Sequence, residues 1–270
     1  MELISGRWLV ALAGACSSFL AARAQTPPDV SDIVARSVAN SDADWKAAPE
    51  YSFTERDAIT KGGDRTEKTY RVTMIEGSPY YETVSIDGKA LSPAQKKREE
   101  KRLARVTQAR LHESPAARAR RIAGYEKGRR QDHLLMREMI AGFEFQSAGT
   151  EIANGRECYK IAASPRPGYV PKDNEAKVLK GMRGTLWIDT KAYQWVRVEA
   201  SVFRPVAFGL FIAHVRPGTE FVLEQAPVDG NIWLPSYFEM RVNAAIAFWP
   251  HRSLDQETYS GYRKISGQTR

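Results

Sequence analysis

Cysteine is nearly absent from this chain. Of its two cysteines, Cys16 lies in the apolar N-terminal segment, so one cysteine, Cys158, remains if that segment is removed. A single cysteine cannot form an internal disulfide, and the fold must therefore be held together by its core. We expect Cys158 to be a buried strand residue, because free cysteine is usually buried and no histidine or pair of basic residues lies beside it to activate the thiol.

Histidine is also rare, and its few copies are isolated. The four histidines are His112, His133, His214 and His251, and no two of them fall at metal-ligand spacing on one predicted element. The chain has no Gly-x-Ser-x-Gly elbow and no glycine-rich phosphate loop. These absences offer no catalytic or metal-binding candidate. We therefore expect a protein that is not an enzyme and that needs no cofactor or metal ion.

Long apolar runs are missing as well. The apolar stretch at residues 8–20 is too short and too interrupted to span a bilayer, and Ala22-Arg23-Ala24 follows it with the small-x-small pattern of a cleavage site. Residues 1–24 thus predict a cleaved signal peptide and a periplasmic or secreted protein. The alternative is an outer-membrane lipoprotein acylated on Cys16. The residue three positions before Cys16 is alanine rather than a large aliphatic, which favours the cleaved form.

Positive charge is abundant, but it is confined to one segment. Residues 96–130 contain 13 Lys or Arg against four Glu, a net charge of +9, whereas the whole chain carries +8, so the remainder is close to neutral. Two Ser-Pro pairs begin this region with the cap and first-turn residues typical of helices. They predict helices at about 93–112 and 115–142, with a bend or break near Gly124 and Gly128.

Three interpretations of the basic segment remain open. It is either a solvated helical face, a surface for anionic membrane or another acidic envelope partner, or a nucleic-acid site. We discount nucleic acid because the segment is predicted to be exported and Tyr125 is its only aromatic residue. The candidate contacts to a lipid headgroup or an acidic partner are Lys96, Lys97, Arg98, Lys101, Arg102 and Arg105.

The rest of the chain shows the alternation typical of half-buried antiparallel strands. A short helix ending near Trp45 precedes strands at about 51–57, 69–75 and 80–86, and eight or so strands follow residue 142. Such a sheet has one apolar face that must be covered. We predict an α+β fold, a curled antiparallel sheet covered by helices, in a single domain at 25–270 with a basic helical insertion at about 92–142.

Several short stretches resemble a known family. Tyr51 to Asp57 after the first helix, the hairpin that ends in Asp87-Gly88-Lys89, and Gly184 to Asp189 with the following strand Trp195 to Glu199 are similar to the superfamily of periplasmic lipoprotein carriers and outer-membrane lipoprotein-sorting proteins. The resemblance implies an unclosed antiparallel half-barrel with helices on its concave side and acyl chains between them. The segment at 92–142 is longer and more basic than a plain carrier would have. A shared fold does not by itself imply a shared function.

The apolar stretch at residues 206–212 allows two interpretations. As a buried strand it fills the core, which is the more common role; as a cavity wall its side chains suit an acyl chain. Candidate wall residues on the sheet and on the helix predicted at 115–142 are Trp187, Trp195, Phe208, Phe211, Trp233, Phe238, Met136, Met139 and Ile140.

The sequence therefore indicates two possible functions. We expect a non-enzymatic envelope protein that binds a lipid or a lipoprotein acyl chain in an apolar cavity between sheet and helices, with the headgroup near the basic residues. The alternative is a structural or interaction protein with a filled core that docks to an acidic envelope partner through its basic helix.

Overall fold

An open antiparallel sheet dominates the molecule. The computed structural model describes residues 29–171, 175–208, 213–246 and 249–265, and within these ranges 13 strands form one sheet. The predicted signal peptide and Phe211 lie outside the described residues. Side chains are described throughout these ranges except at Asp132, Leu135, Met136, Glu175, Phe208, Ala213 and Ile246.

The first part of the chain forms a helix and a four-stranded antiparallel meander with three hairpins. Asp29 caps the first helix, and its carboxylate accepts a hydrogen bond from the Ser31 backbone N–H. The helix is followed by a 3₁₀ turn at Ala48–Glu50. The elements are α1 Val30–Ala47, β1 Tyr51–Lys61, β2 Asp64–Ile75, β3 Ser78–Ile86 and β4 Lys89–Ala90. Strands β1, β2 and β3 extend beyond their predicted ends, up to the turns at Gly62-Gly63 and Gly77.

Two helices then form the basic segment. They are α2 Pro93–Leu111 and α3 Pro115–Gly142. Ser92 and Gln95 form a capping box at the start of α2, and the Ser114 hydroxyl accepts from the Ala117 backbone N–H at the start of α3. A break near Gly124 and Gly128 is wrong, since α3 is helical through both, and a bend there stays a prediction. A glycine costs a helix interior only about 1 kcal/mol.

The remaining strands complete the sheet. They are β5 Phe143–Ala153, β6 Arg156–Pro165, β7 Met182–Asp189, β8 Trp195–Val202, β9 Val206–Phe208, β10 Ala213–Val215, β11 Glu220–Asp229, β12 Ile232–Ile246 and β13 Trp249–Lys264, with a 3₁₀ helix at Glu175–Gly181 before β7. The strand order is β4-β3-β2-β1-β13-β12-β11-β8-β7-β6-β5, and β10 with β9 extends from β12. The outer strands β4 and β5 do not pair, so the sheet is not closed.

The main core lies between α1 and the middle of the sheet. Ile33 and Val34 of α1 pack in one cluster with Leu186, Ile188 and Trp195. Two polar contacts fix α1 in place: the Trp195 indole Nε1 donates to Ser37 Oγ at 3.0 Å, and the Trp233 backbone N–H donates to Asp44 Oδ1 at 2.9 Å. The face of the sheet that carries Trp195 is therefore the one covered by α1.

The helix α3 crosses the same side of the molecule. Near its start, Arg121 donates to the Glu76 carbonyl oxygen at 2.8 Å and to Ser78 Oγ at 2.5 Å, which ties it to the β2–β3 hairpin. Further along, the His133 ring stacks on Trp45 of α1, with the ring centroids 4.6 Å apart. At its end it runs directly into β5.

A smaller cluster lies on the opposite face of the sheet. It contains Ala153, Cys158, Trp187, Val196 and Trp233. Cys158 is a buried free cysteine within a strand, as the sequence predicts.

Candidate binding cavity

An apolar cavity of about 550 Å³ lies between the end of α3, the 3₁₀ helix and the inner face of the sheet. This volume falls within the range of pockets that hold small molecules, roughly 300–1,000 Å³. The walls come from β5 to β8 on one side and β11 to β13 on the other. Apolar residues that line it include Met139, Phe143, Leu179, Met182, Leu186, Val198, Phe221, Leu223, Phe238 and Met240.

Strand alternation and register build these walls. In β11 and β12, Leu223 lies opposite Phe238 and Phe221 lies opposite Met240, so all four side chains share the inner face. On the other wall, Gly184 of β7 lies against β8. A Cβ at this glycine would come within 2.7 Å of the Glu199 carbonyl oxygen, so a larger residue would push the two strands apart.

Three of the predicted wall residues line the cavity: Trp195, Phe238 and Met139. Ile140 is half-buried and is not among the lining residues described. Of the other candidates, Phe211 and the side chains of Phe208 and Met136 lie outside the described part of the chain.

Trp187 and Trp233 do not line this cavity, and their predicted place on its wall is corrected. Trp187 lies between Leu186 and Ile188, which both belong to the main core, so its side chain points to the opposite face. Trp233 joins Trp187 in the smaller cluster, where the Arg156 guanidinium lies 4.6 Å from its ring centroid. Both indoles stabilise the outer side of the sheet.

No basic residue of α2 is among the residues described as lining the cavity. The helix packs on β3, where Arg102 donates to the Tyr81 carbonyl oxygen and lies 4.7 Å from the centre of the Tyr80 ring. Strands β2 and β1 separate β3 from the cavity strand β13 in the order of the sheet. The placement of a headgroup beside these residues stays a prediction.

The exposed charge of α2 is largely unpaired. Arg102 forms an ion pair with Glu99 at 2.7 Å. The other five candidates are exposed, and no ion pair in the described residues involves them. They are Lys96, Lys97, Arg98, Lys101 and Arg105.

One end of the cavity is polar, a feature that the sequence did not reveal. Glu257 and Tyr259 of β13 line this end, and Glu257 Oε2 accepts a hydrogen bond from the Tyr259 hydroxyl. Across the β1–β13 ladder, Glu55 lies opposite Tyr259 and Asp57 lies opposite Glu257. Burial, with the charges of Glu257 and Asp57, raises the pKa of Glu55 to about 7.

The same environment acts on the neighbouring carboxyls. Burial raises the pKa of Glu257, and the charges of Asp57 and Asp255 raise it further, whereas the Tyr259 hydroxyl lowers it. Across the described ranges, no group of three or more His, Cys, Asp or Glu residues is arranged to hold a metal ion. The cavity therefore presents a large apolar surface with hydrogen-bond acceptors at one end.

No helix in the described part of the chain combines the length and the apolar character that crossing a membrane would take.

Comparison with known proteins gives matches among solved structures. No protein-family model and no curated protein matches the chain. A structure described as an outer membrane lipoprotein-sorting protein domain from Vibrio parahaemolyticus is 9% identical, with 87% of this chain and 94% of that chain covered and a TM-score of 0.36. A LolA superfamily protein from Nitrosomonas europaea is 6% identical, with 82% and 92% covered and a TM-score of 0.29.

A third match is the lipoprotein LppX from Mycobacterium tuberculosis, at 12% identity, 88% and 96% coverage and a TM-score of 0.28. With TM-scores below 0.5 and identities of 6–12%, these matches do not assign the chain to a family, and they add nothing about the ligand.

Proposed function

We propose that this protein binds the acyl chain of a lipid or lipoprotein in the cavity, without catalysing a reaction. The observation that supports this most directly is a space of about 550 Å³ walled almost entirely by apolar side chains. Such a space favours a hydrocarbon over water, because each buried methylene contributes about 0.8 kcal/mol. Eight buried methylenes would contribute about 6 kcal/mol, part of which offsets the cost of immobilising the ligand.

The proposed place of action is the cell envelope. The cleavage pattern at the end of residues 1–24 supports a periplasmic or secreted protein, and acylation of Cys16 is the alternative. In that setting, the ligand would be a membrane lipid or an acylated lipoprotein.

A neutral apolar dye tests the cavity directly. N-phenyl-1-naphthylamine fluoresces when it leaves water for an apolar site, so it should bind to the wild-type protein and be displaced by a long-chain alcohol. Leu223→Gln places a polar amide on the cavity wall and should weaken dye binding about tenfold, since burying an unpaired polar group costs about 1–3 kcal/mol.

Val222→Gln is the matched control. Val222 is the preceding residue of β11, it is also half-buried, and it points to the opposite face of the sheet. This variant should bind the dye like the wild type. Equal dye binding by both variants and the wild type would place the dye elsewhere and contradict the proposal.

A second candidate function is docking of α2 to an anionic surface. It is favoured by the absence of any buried residue in α2 and by the exposed, unpaired lysines and arginines along it. Each lysine or arginine close to an anionic membrane surface contributes about 1 kcal/mol to binding. Docking of this kind should fade at about 1 M salt, where charges are screened within roughly 3 Å, whereas acyl-chain burial should not.

Vesicle sedimentation separates the two functions. If α2 docks, phosphatidylglycerol vesicles should retain the protein and phosphatidylcholine vesicles should not. The double substitution Lys97→Gln and Lys101→Gln should weaken retention, and Lys61→Gln with Lys191→Gln, which removes the same charge from exposed sites elsewhere, should weaken it less. Equal losses would assign the retention to net charge and refute a role specific to α2.

A further inference from the structure

Glu257 lines the polar end of the cavity, and three further carboxylates lie beside it on the same face of two adjacent strands. Glu257 lies opposite Phe238, and Asp255 lies opposite Met240, two residues of the cavity wall. Directly opposed residues of a ladder share a face, so both carboxylates point to the cavity side of the sheet. On β1, Asp57 and Glu55 continue this acidic surface, because they lie opposite Glu257 and Tyr259.

These four carboxylates are poorly neutralised by the protein. No lysine or arginine in the described residues lies within ion-pair distance of Glu55, Asp57, Asp255 or Glu257. Lys68 lies opposite Asp57 in the β1–β2 ladder. The charge of Lys68 lowers the pKa of Asp57, but burial has the larger effect and raises it. Asp255 Oδ1 is buried and has no hydrogen-bond partner.

The other glutamates around the cavity differ in orientation. Glu199 and Glu220 alternate with the wall residues Val198 and Phe221, so their side chains point to the opposite face. Glu199 is also paired there with Arg197 at 2.6 Å. Charge that faces the ligand space is therefore concentrated at the β13 end.

We propose that the amphiphile held in this cavity has a cationic amine at its polar end, which Glu257 binds, and that anionic headgroups are disfavoured. The inference rests on the proposed function, since it names the class of ligand for the same cavity. A phosphate or carboxylate at this end would meet unpaired like charges, whereas an ammonium group would supply the missing partner and donate to their oxygens. A metal ion is a poorer fit, because these oxygens do not converge on one point.

Three amphiphiles with the same chain test the proposal: dodecylammonium, dodecan-1-ol and dodecanoate. Each is titrated below its micelle concentration, at about pH 8, where Glu55 is mostly ionised, against the protein loaded with N-phenyl-1-naphthylamine. We expect dodecylammonium to displace the dye at about one tenth of the concentration that dodecanoate requires, with the alcohol between them, as for a partly buried charge pair.

Two variants assign the preference to a residue. Glu257→Gln should remove most of the difference between the amine and the carboxylate. Glu144→Gln removes the same charge from an exposed strand position and should keep the wild-type preference. If Glu257→Gln fails to fold, by circular dichroism, Asp255→Asn takes its place with the same expectation.

The outcomes separate this inference from the proposed function. Displacement by dodecan-1-ol together with equal or tighter binding of dodecanoate than of dodecylammonium would overturn the inference and leave the apolar cavity intact. An amine preference that survives in Glu257→Gln and Asp255→Asn would refute the role of these carboxylates. Failure of all three amphiphiles to displace the dye would refute the proposed function as well.

Discussion

Asp44 provides a sharp test of how α1 is held on the sheet. Its side chain is 3% exposed, and its Oδ1 accepts the Trp233 backbone N–H at 2.9 Å, while Oδ2 is buried without a partner. Burial raises the pKa of Asp44 from an ordinary value of 3.8 to about 6, against the hydrogen bond from Trp233 and the nearby Gln194 amide, which lower it. The folded protein thus retains a proton that the unfolded chain releases.

The difference between the pKa of Asp44 in the folded and unfolded states sets the sign and size of its effect on stability. Below about pH 4 both states are protonated, and Asp44 contributes no pH dependence. As the pH rises from about 4 to 6 the unfolded state ionises first, so stability falls, by about 3 kcal/mol for a pKa difference of about two units. Above about pH 6 the loss is complete and constant.

Asp44→Asn should therefore gain stability with pH relative to the wild type. An asparagine oxygen still accepts from Trp233, but it carries no charge to bury. We expect a difference near zero at about pH 4 that grows to about 2–3 kcal/mol in favour of the variant at about pH 8. Urea unfolding of both proteins at each pH measures it, because the titration of all other groups cancels in the difference.

Asp44→Ala separates the charge from the hydrogen bond. It removes the pH dependence in the same way, but it leaves the buried Trp233 N–H unpaired, which costs about 1–3 kcal/mol at every pH. Plotted against pH, the free energy of unfolding of Asp44→Ala should run parallel to that of Asp44→Asn and lie below it. A difference between Asp44→Asn and the wild type that is the same at both pH values would refute the assignment of a buried, protonated carboxyl.

Three other predictions concern the core and the helical segment. Ile161→Ala, at a position that is 1% exposed, should lower the free energy of unfolding by about 2–5 kcal/mol, and Ile152→Ala, at a position that is 67% exposed, should leave it within about 0.5 kcal/mol; comparable losses would contradict the assigned core. Burial raises the pKa of the Cys158 thiol to about 11, so iodoacetamide should label it only after unfolding, and rapid labelling of the native protein would show that the thiol is accessible. Arg121→Ala removes the donors to the β2–β3 hairpin and should cost about 1–3 kcal/mol in urea unfolding; an unchanged midpoint would mean that α3 is held by other contacts.

Local chemistry explains what could be predicted of the fold. The starts of α1, α2 and α3 follow from Asp29, Ser92 and Ser114, whose side chains bond to backbone groups two or three residues away. The strands follow from alternation that ends at turn residues, as at Gly62 and Gly155. These signals depend on neighbours in sequence and need no knowledge of the tertiary structure.

The faces of the central strands could not be predicted in the same way. Leu186, Trp187 and Ile188 are all buried, so β7 shows no alternation that would assign Trp187 to one side. Both faces of this strand are covered, one by the main core and one by the cluster with Trp233. For the same reason the indoles looked alike in the sequence, although Trp195 alone of Trp187, Trp195 and Trp233 lines the cavity.

The acidic end of the cavity was missed for a related reason. Charged residues on a strand are normally taken to face water, and Glu55 and Asp57 alternate with Thr54 and Arg56, which gives no apolar face to compare. Their place becomes clear only from the pairing of β1 with β13, which joins residues about 200 positions apart in the chain. Register of this kind depends on the whole sheet.

Native mass spectrometry of the protein purified from cells, followed by organic extraction, shows directly whether the cavity carries a ligand. We expect one lipid or acylated peptide bound per protein molecule in a near-stoichiometric fraction, released into the organic phase. A mass equal to that of the polypeptide alone, from a preparation that also takes up no N-phenyl-1-naphthylamine, would contradict it.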